Sequence, residues 1–213
     1  MAVGAYALLL AWSSITALDR CGRASTSEAD GGAAEQFVAA WERSREATFV
    51  TIGTYERRSG VSGATLTSED IVVQRPPQRL HRQLGGVDGL DGDRLVVCPA
   101  PPEGDEERPA PCRAGAPSGV TYAERVQTEV AGLRSILGGA APLYSVRTPS
   151  QGCFELVQRR IDPRAPFGVR ASFCFDEASG AVRLSRVRHE GGIVETVVVT
   201  AIRREVVDAD LVP

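Results

Sequence analysis

Few side chains in this chain have the chemistry to act as acids, nucleophiles or metal ligands. It has two histidines, His81 in RLHRQL and His189 at the end of RVRH. Imidazole is the side chain that ordinarily exchanges protons near neutral pH, so two of them leave few acid-base arrangements. Both read as exposed strand residues. No serine stands in a GxSxG elbow and there is no HExxH pair, so neither a hydrolase nucleophile nor a zinc-protease helix is encoded. Asp88, Asp91 and Asp93 in GVDGLDGD place three carboxylates on a short segment, as a calcium loop would. The spacing departs from D-x-[DN]-x-[DN]-G and lacks a glutamate at the twelfth position, and aspartate with glycine is ordinary turn chemistry. No metal, cofactor or catalytic group is assigned, and the chain reads as a non-enzyme.

The five cysteines tell more. Cys98 and Cys112 flank a proline-rich loop, and Cys153 and Cys174 fall on neighbouring predicted strands, so two local disulfides are expected. The spacings do not cluster as zinc ligands do. Cys21 is left over. Leu18 stands three residues before it, as in a bacterial lipobox, but Asp19 and Arg20 occupy positions that lipoboxes reserve for small residues. Lipidation at Cys21 and a free thiol beside an anchor both remain open.

The elements that would position these groups follow from pattern. The first 18 residues carry no charge and end at Asp19 and Arg20. They give about 27 Å of helix at 1.5 Å per residue, short for a bilayer of about 30 Å and suited to a signal sequence or membrane anchor over 1–20. No basic residue precedes the run, unlike ordinary secretory signals. A small, polar tether over 21–32 follows, and one folded domain over 33–213. Export and the disulfides agree, so the expected location is extracytoplasmic, membrane-anchored or exported. All 24 basic residues are arginine, which points to a GC-rich bacterial genome. The net charge of −3 argues against nucleic acid as a partner.

Within the domain, Ala34, Phe37, Val38 and Trp41 recur at helical spacing. Four strand-like runs come next, ATFVTIGTYERR, ATLTSEDIVVQRP, QRLHRQL and DRLVVC, with turns at Gly60 to Gly63, at Pro76-Pro77 and across GGVDGLDGD. A proline-rich insertion spans 99–117. Thr121 and Glu124 form a capping box for a second helix, whose Tyr122, Val126, Val130, Leu133 and Leu137 make an apolar stripe expected over the middle of the sheet. Five further strands close the chain. The last, IVETVVVTAIR, is apolar at Ile193, Val197, Val199 and Ala201 on one parity and at Val194, Val198 and Ile202 on the other, which calls for cover on both faces.

Three segments carry a family resemblance: the first helix leading into FVTIGTYERR, the strand DRLVVCP, and SFCFDEASGAVRLSRVRHEGGIVETVVVTAIRREVVDADLVP with its FxxD-turn-G hairpin and closing D-x-D-L. On these the chain resembles the bacterial lipoprotein carrier LolA, the regulator RseB and the LppX-type lipoproteins. The resemblance implies an α+β fold, a curved antiparallel half-barrel of about 9–11 strands with helices on its concave face. It also implies a cavity for lipid or lipoprotein acyl chains. In this sequence the cavity would be lined by Phe37, Trp41, Phe49, Val126, Val130, Leu133, Phe173 and Val197, although helix aromatics spaced like Phe37 and Trp41 are more often core. The expected function is therefore a monomeric, non-catalytic lipid- or lipoprotein-binding protein of the cell envelope. The alternative is an RseB-like regulatory module for a membrane protein partner.

Overall fold

The structure is a computed structural model that describes residues 31–101 and 111–213. The segment 1–20, Cys21 and most of the tether lie outside the described residues, as does much of the proline-rich insertion. No described helix is long and apolar enough to cross a membrane.

The helical stripe around Phe37 forms α1, Gly31–Glu46, and the capped stripe forms α2, Tyr122–Leu137. At the start of α2 the Glu124 N–H donates to Thr121 Oγ1 at 3.2 Å, while the Thr121 N–H donates to the Glu124 carboxylate at 2.8 Å. Two otherwise orphaned donors are thereby satisfied. Gly138 ends the helix, its N–H donating to the Arg134 carbonyl.

Eleven strands make one curved, unclosed antiparallel sheet. Before α2 come β1 Phe49–Arg58, β2 Thr65–Arg75, β3 Gln78–Gln83, β4 Gly86–Asp91, β5 Arg94–Cys98 and β6 Arg113–Ala114. After it come β7 Tyr144–Ser150, β8 Cys153–Gln158, β9 Arg170–Phe175, β10 Val182–Arg188 and β11 Val194–Arg203. The order across the sheet is β6-β5-β4-β3-β2-β1-β11-β10-β9-β8-β7, so β1 pairs with β11 and two meanders meet at the centre.

GGVDGLDGD is not a turn: its middle forms β4, paired to β3 and β5. Glycine is needed there for close approach. A Cβ on Gly89 would strike the Arg79 carbonyl oxygen and the Leu80 backbone.

The helices do not lie over the middle of the sheet either. Their apolar faces meet β7, β8 and β9 near one end, through Tyr144, Val146, Phe154, Leu156, Ala171 and Phe173. The reason is composition, because the helix-side positions on β2 and β3 are Asp70, Val72, Gln74, Arg79, His81 and Gln83, of which only Val72 is apolar.

The two apolar parities of β11 are also not both covered. A bulge where Ile52 faces Ala201 and Gly53 faces Val199 leaves Thr200 extra, so Val199 and Ala201 point to opposite faces. Val198 on the outer face is 46% exposed. The outer face is covered instead farther along, where the C-terminal tail packs Val206 and Leu211 onto Val50, Val73 and Leu80. Arg82 fastens that tail by donating to the carbonyls of Asp210 and Val212.

Candidate functional site

Helical spacing sets Phe37 and Trp41 on one face of α1, directed at the sheet. Phe37 is fully enclosed, with ring centroids 5.5 Å from Phe154, 5.6 Å from Phe173 and 6.1 Å from Phe175. Phe167, from the loop before β9, completes the cluster at 6.3 Å. Its loop is held by Tyr144, whose hydroxyl accepts from the Phe167 N–H and donates to the Gly168 carbonyl, both at 3.0 Å. Edge-on and tilted contacts of this kind are the favourable geometries between aromatic rings.

Of the eight residues expected to line a cavity, Phe37, Val126, Val130, Leu133 and Phe173 share this core, and Trp41 packs against it. Phe49 is buried at the start of β1, and Val197 is half-buried on β11; neither joins that core. Where the six meet, protein side chains occupy the space.

The open space lies at the edge of that cluster. A cavity of about 270 Å3 sits between α1 and the turns at one end of β8, β9 and β10, with Ala39, Ala40 and Arg43 on one wall and Phe154, Phe175 and Gly180 on the other. Phe154 and Phe175 thus serve both as core and as cavity wall. Asp176 and Glu177 stand at its margin with Arg43, so an apolar floor carries a charged rim. The Asp176 carboxylate accepts from the Ser179 hydroxyl at 2.7 Å and the Ser179 N–H at 2.8 Å, which holds its pKa below the ordinary 3.8 and fixes the turn. Phe154, Phe175 and Gly180 were not among the sequence-derived lining residues. The available signal was the aromatic alternation in GCFELVQ and SFCFD.

A polar lock joins the two helices. Glu129 on α2 accepts from the Trp41 indole at 3.0 Å and from two nitrogens of Arg45 at 2.9 and 2.8 Å. The Arg45 guanidinium also lies over the Trp41 ring, 4.7 Å from its centroid. Burial pushes the Glu129 carboxyl up, but these hydrogen bonds and the Arg45 charge outweigh it and leave the pKa below 4.5.

The remaining helix side of the sheet is more polar. Cross-strand partners share a face, so the registers place Phe49, Gln74, Arg79, Leu90 and Leu95 in one row and Thr51, Val72, His81, Asp88 and Val97 in the next. Gln74 ends α1 by donating its amide to the carbonyls of Ser44, Arg45 and Ala47. Buried Asp70 accepts from Gln83 at 2.8 Å and lies 2.8 Å from His81 Nε2. His189 pairs with Glu195 at 3.0 Å, and Tyr55 donates to the same carboxylate at 3.1 Å. Each histidine therefore has a carboxylate partner, and among the described residues neither hydrogen-bonds to a serine, threonine or cysteine. Among the described residues no cluster of three or more His, Cys, Asp or Glu side chains is placed to hold a metal ion. The candidate calcium carboxylates separate: Asp88 faces His81, Asp91 accepts from Gln78, and Asp93 accepts from the Gly119 N–H.

Two disulfides are formed. Cys98–Cys112 closes the base of the proline-rich segment, and Cys153–Cys174 joins residues directly opposite on β8 and β9. Both Cys153 and Cys174 point away from the aromatic core, since their neighbours Phe154 and Phe173 point into it.

No protein-family profile and no curated protein matches the chain. Solved structures do. The complex of Pseudomonas aeruginosa MucA and MucB matches at 17% identity with a TM-score of 0.41, over 85% of this chain and 61% of that one. Another structure, of MucB, matches at 16% identity and TM-score 0.41, over 86% and 63%. A LolA superfamily protein from Nitrosomonas europaea matches at 10% identity and TM-score 0.34, over 85% and 98%. This chain therefore spans less than two thirds of the MucB chains it matches.

Proposed function

We propose that this protein binds the acyl chain of a lipid or lipoprotein at the α1 side of its half-barrel, as a non-catalytic component of the bacterial cell envelope. The carrying observation is the cavity of about 270 Å3 whose wall, Phe154 and Phe175, is the edge of the aromatic cluster around Phe37. An apolar chain entering there meets aromatic rings, and any polar end stays at the rim of Arg43, Asp176 and Glu177. Loosening of α1 would extend the cavity into the cluster, with Phe37, Trp41, Val126, Val130, Leu133 and Phe173 as further contacts. Phe49 and Val197 would then serve only a ligand reaching across the sheet. The two disulfides agree with a location outside the cytoplasm.

The filled core favours a second reading, a regulatory module that docks on a membrane protein. The experiment that separates the two is native mass spectrometry of the protein extracted from its own membrane. A retained lipid of defined mass supports the first reading. A stoichiometric membrane protein with no lipid supports the second.

A further inference from the structure

Among the described residues, Arg79 on the helix side of the sheet makes no hydrogen bond or ion pair, although the Glu129 and Asp88 charges act on it from a distance. Arg79 stands in β3, opposite Gln74 on one neighbouring strand and Leu90 on the other. Its Nε is enclosed without a hydrogen-bond partner, and so is the Gln74 amide oxygen. The charges around it are already committed: Glu129 is taken up by Arg45 and Trp41, and exposed Asp88 leans towards His81 at 3.8 Å. Burial, aided by the Arg45 charge, pushes the Arg79 pKa down to about 10, which leaves it charged at neutral pH. A second arginine reaches the same end of the sheet from α2. Arg125 donates to Ser118 and to the Asp93 carbonyl beside the β4–β5 turn, and its own Nε is enclosed and unpartnered.

An enclosed guanidinium N–H with no acceptor is unfavourable, and an acceptor arriving from outside at this half-buried side chain would relieve it. We infer that Arg79, assisted by Arg125, receives an oxyanion, a phosphate or carboxylate group, admitted between the first turn of α2 and strands β3 to β5. The planar fork of arginine matches both groups. Leu95, Val97 and Val120 are 53%, 40% and 40% exposed, the first two in the rows of Arg79 and His81 and the third just ahead of α2. They give an apolar surface to whatever carries the anion. The site stands apart from the α1 cavity and does not depend on it: a free anion and an anionic head group would both fill it.

The test uses the full chain and follows its arginine Nε–H signals by nitrogen-15 NMR, the Arg79 signal being assigned by its loss in Arg79→Lys. Three probes are titrated: inorganic phosphate, dodecyl phosphate below its micelle concentration, and neutral dodecyl maltoside. The Arg79 signal should move with a phosphate-bearing probe and not with the maltoside. Movement with inorganic phosphate identifies a free anion as sufficient, and movement with dodecyl phosphate alone identifies a head group. Calorimetry should show dodecyl phosphate binding weakened at least tenfold in Arg79→Gln, equivalent to about 1.4 kcal/mol. An unmoved Arg79 signal with both phosphate probes overturns the inference. So does Arg79→Gln keeping the unmodified chain's preference for dodecyl phosphate over dodecyl maltoside within twofold. A chain that binds phosphate but no acyl chain would keep this site and count against the proposed function.

Discussion

Replacing Phe37 with alanine couples stability to binding in one measurement. Phe37 is fully enclosed and contacts five aromatic rings, two of which form the wall of the α1 cavity. Truncations of this kind cost about 3–5 kcal/mol, from lost transfer energy and the void left behind. The number of ring contacts, each contributing roughly 0.5–1.5 kcal/mol beyond area, places this site towards the upper end. Midpoints shift by roughly 2–4 °C per kcal/mol for a domain of this size, so the melting temperature should fall by about 10 °C or more. The void should join the existing cavity, because Phe154 and Phe175 border both. A ligand with a single alkyl chain should then stabilise Phe37→Ala more than it stabilises the unmodified protein, since a dry apolar void accepts an apolar guest. Urea unfolding with and without dodecyl maltoside at a concentration below its micelle threshold measures both quantities. A loss under about 1 kcal/mol would show that the core is not packed as described. An equal ligand effect in both proteins would show that the void and cavity are not continuous.

Arg79→Met should stabilise the protein, because burial and the Arg45 charge disfavour the charged guanidinium and lower its pKa to about 10; urea midpoints check it. Thr121→Ala removes the α2 cap and should cost about 1 kcal/mol in the same assay, without altering the cavity. Replacing both Cys153 and Cys174 by serine opens a loop of separation 21 and should cost about 3 kcal/mol, read against the disulfide-bonded unmodified chain. Glu129, Asp176 and Asp210 all have native pKa values below their ordinary 4.5, 3.8 and 3.8. Their contribution is complete above about pH 4.5 and is lost as the pH falls through the lowered native values, so acid unfolding should be delayed and then steep, and flatter in Glu129→Gln.

Sequence patterns located both helices and most strands because periodicity and capping act locally. Thr121 and Glu124 satisfy backbone donors within one turn, and α1 needs only its own stripe. β4 was hidden because Gly-Val-Asp-Gly-Leu-Asp carries turn residues whose glycine is needed for close approach to β3, a fact that exists only once the strands pair. The position of the helices was hidden for a related reason: it depends on which strands offer apolar residues to that face, and the sequence does not show which parity faces inward. The bulge at Thr200 inverted part of β11 in the same way. For the candidate site, the core residues Phe37, Val126, Val130, Leu133 and Phe173 were visible as stripes. Whether they line a space or fill it depends on packing, which has no signature in spacing. The cavity wall at Phe154 and Phe175 and the unpartnered Arg79 Nε emerge only from tertiary contacts.

Photolabelling tests the proposed function most directly. The full chain is incubated with a long-chain fatty acid carrying a diazirine, irradiated, digested and mapped by mass spectrometry. Acyl-chain binding at the α1 cavity predicts saturable labelling of peptides containing Ala39 to Arg43, Phe154 and Phe175 that persists in Arg79→Gln, is suppressed by excess unlabelled fatty acid and extends around position 37 in Phe37→Ala. Labelling that does not saturate, or that falls on the outer face at Ile52 and Val198, would contradict it.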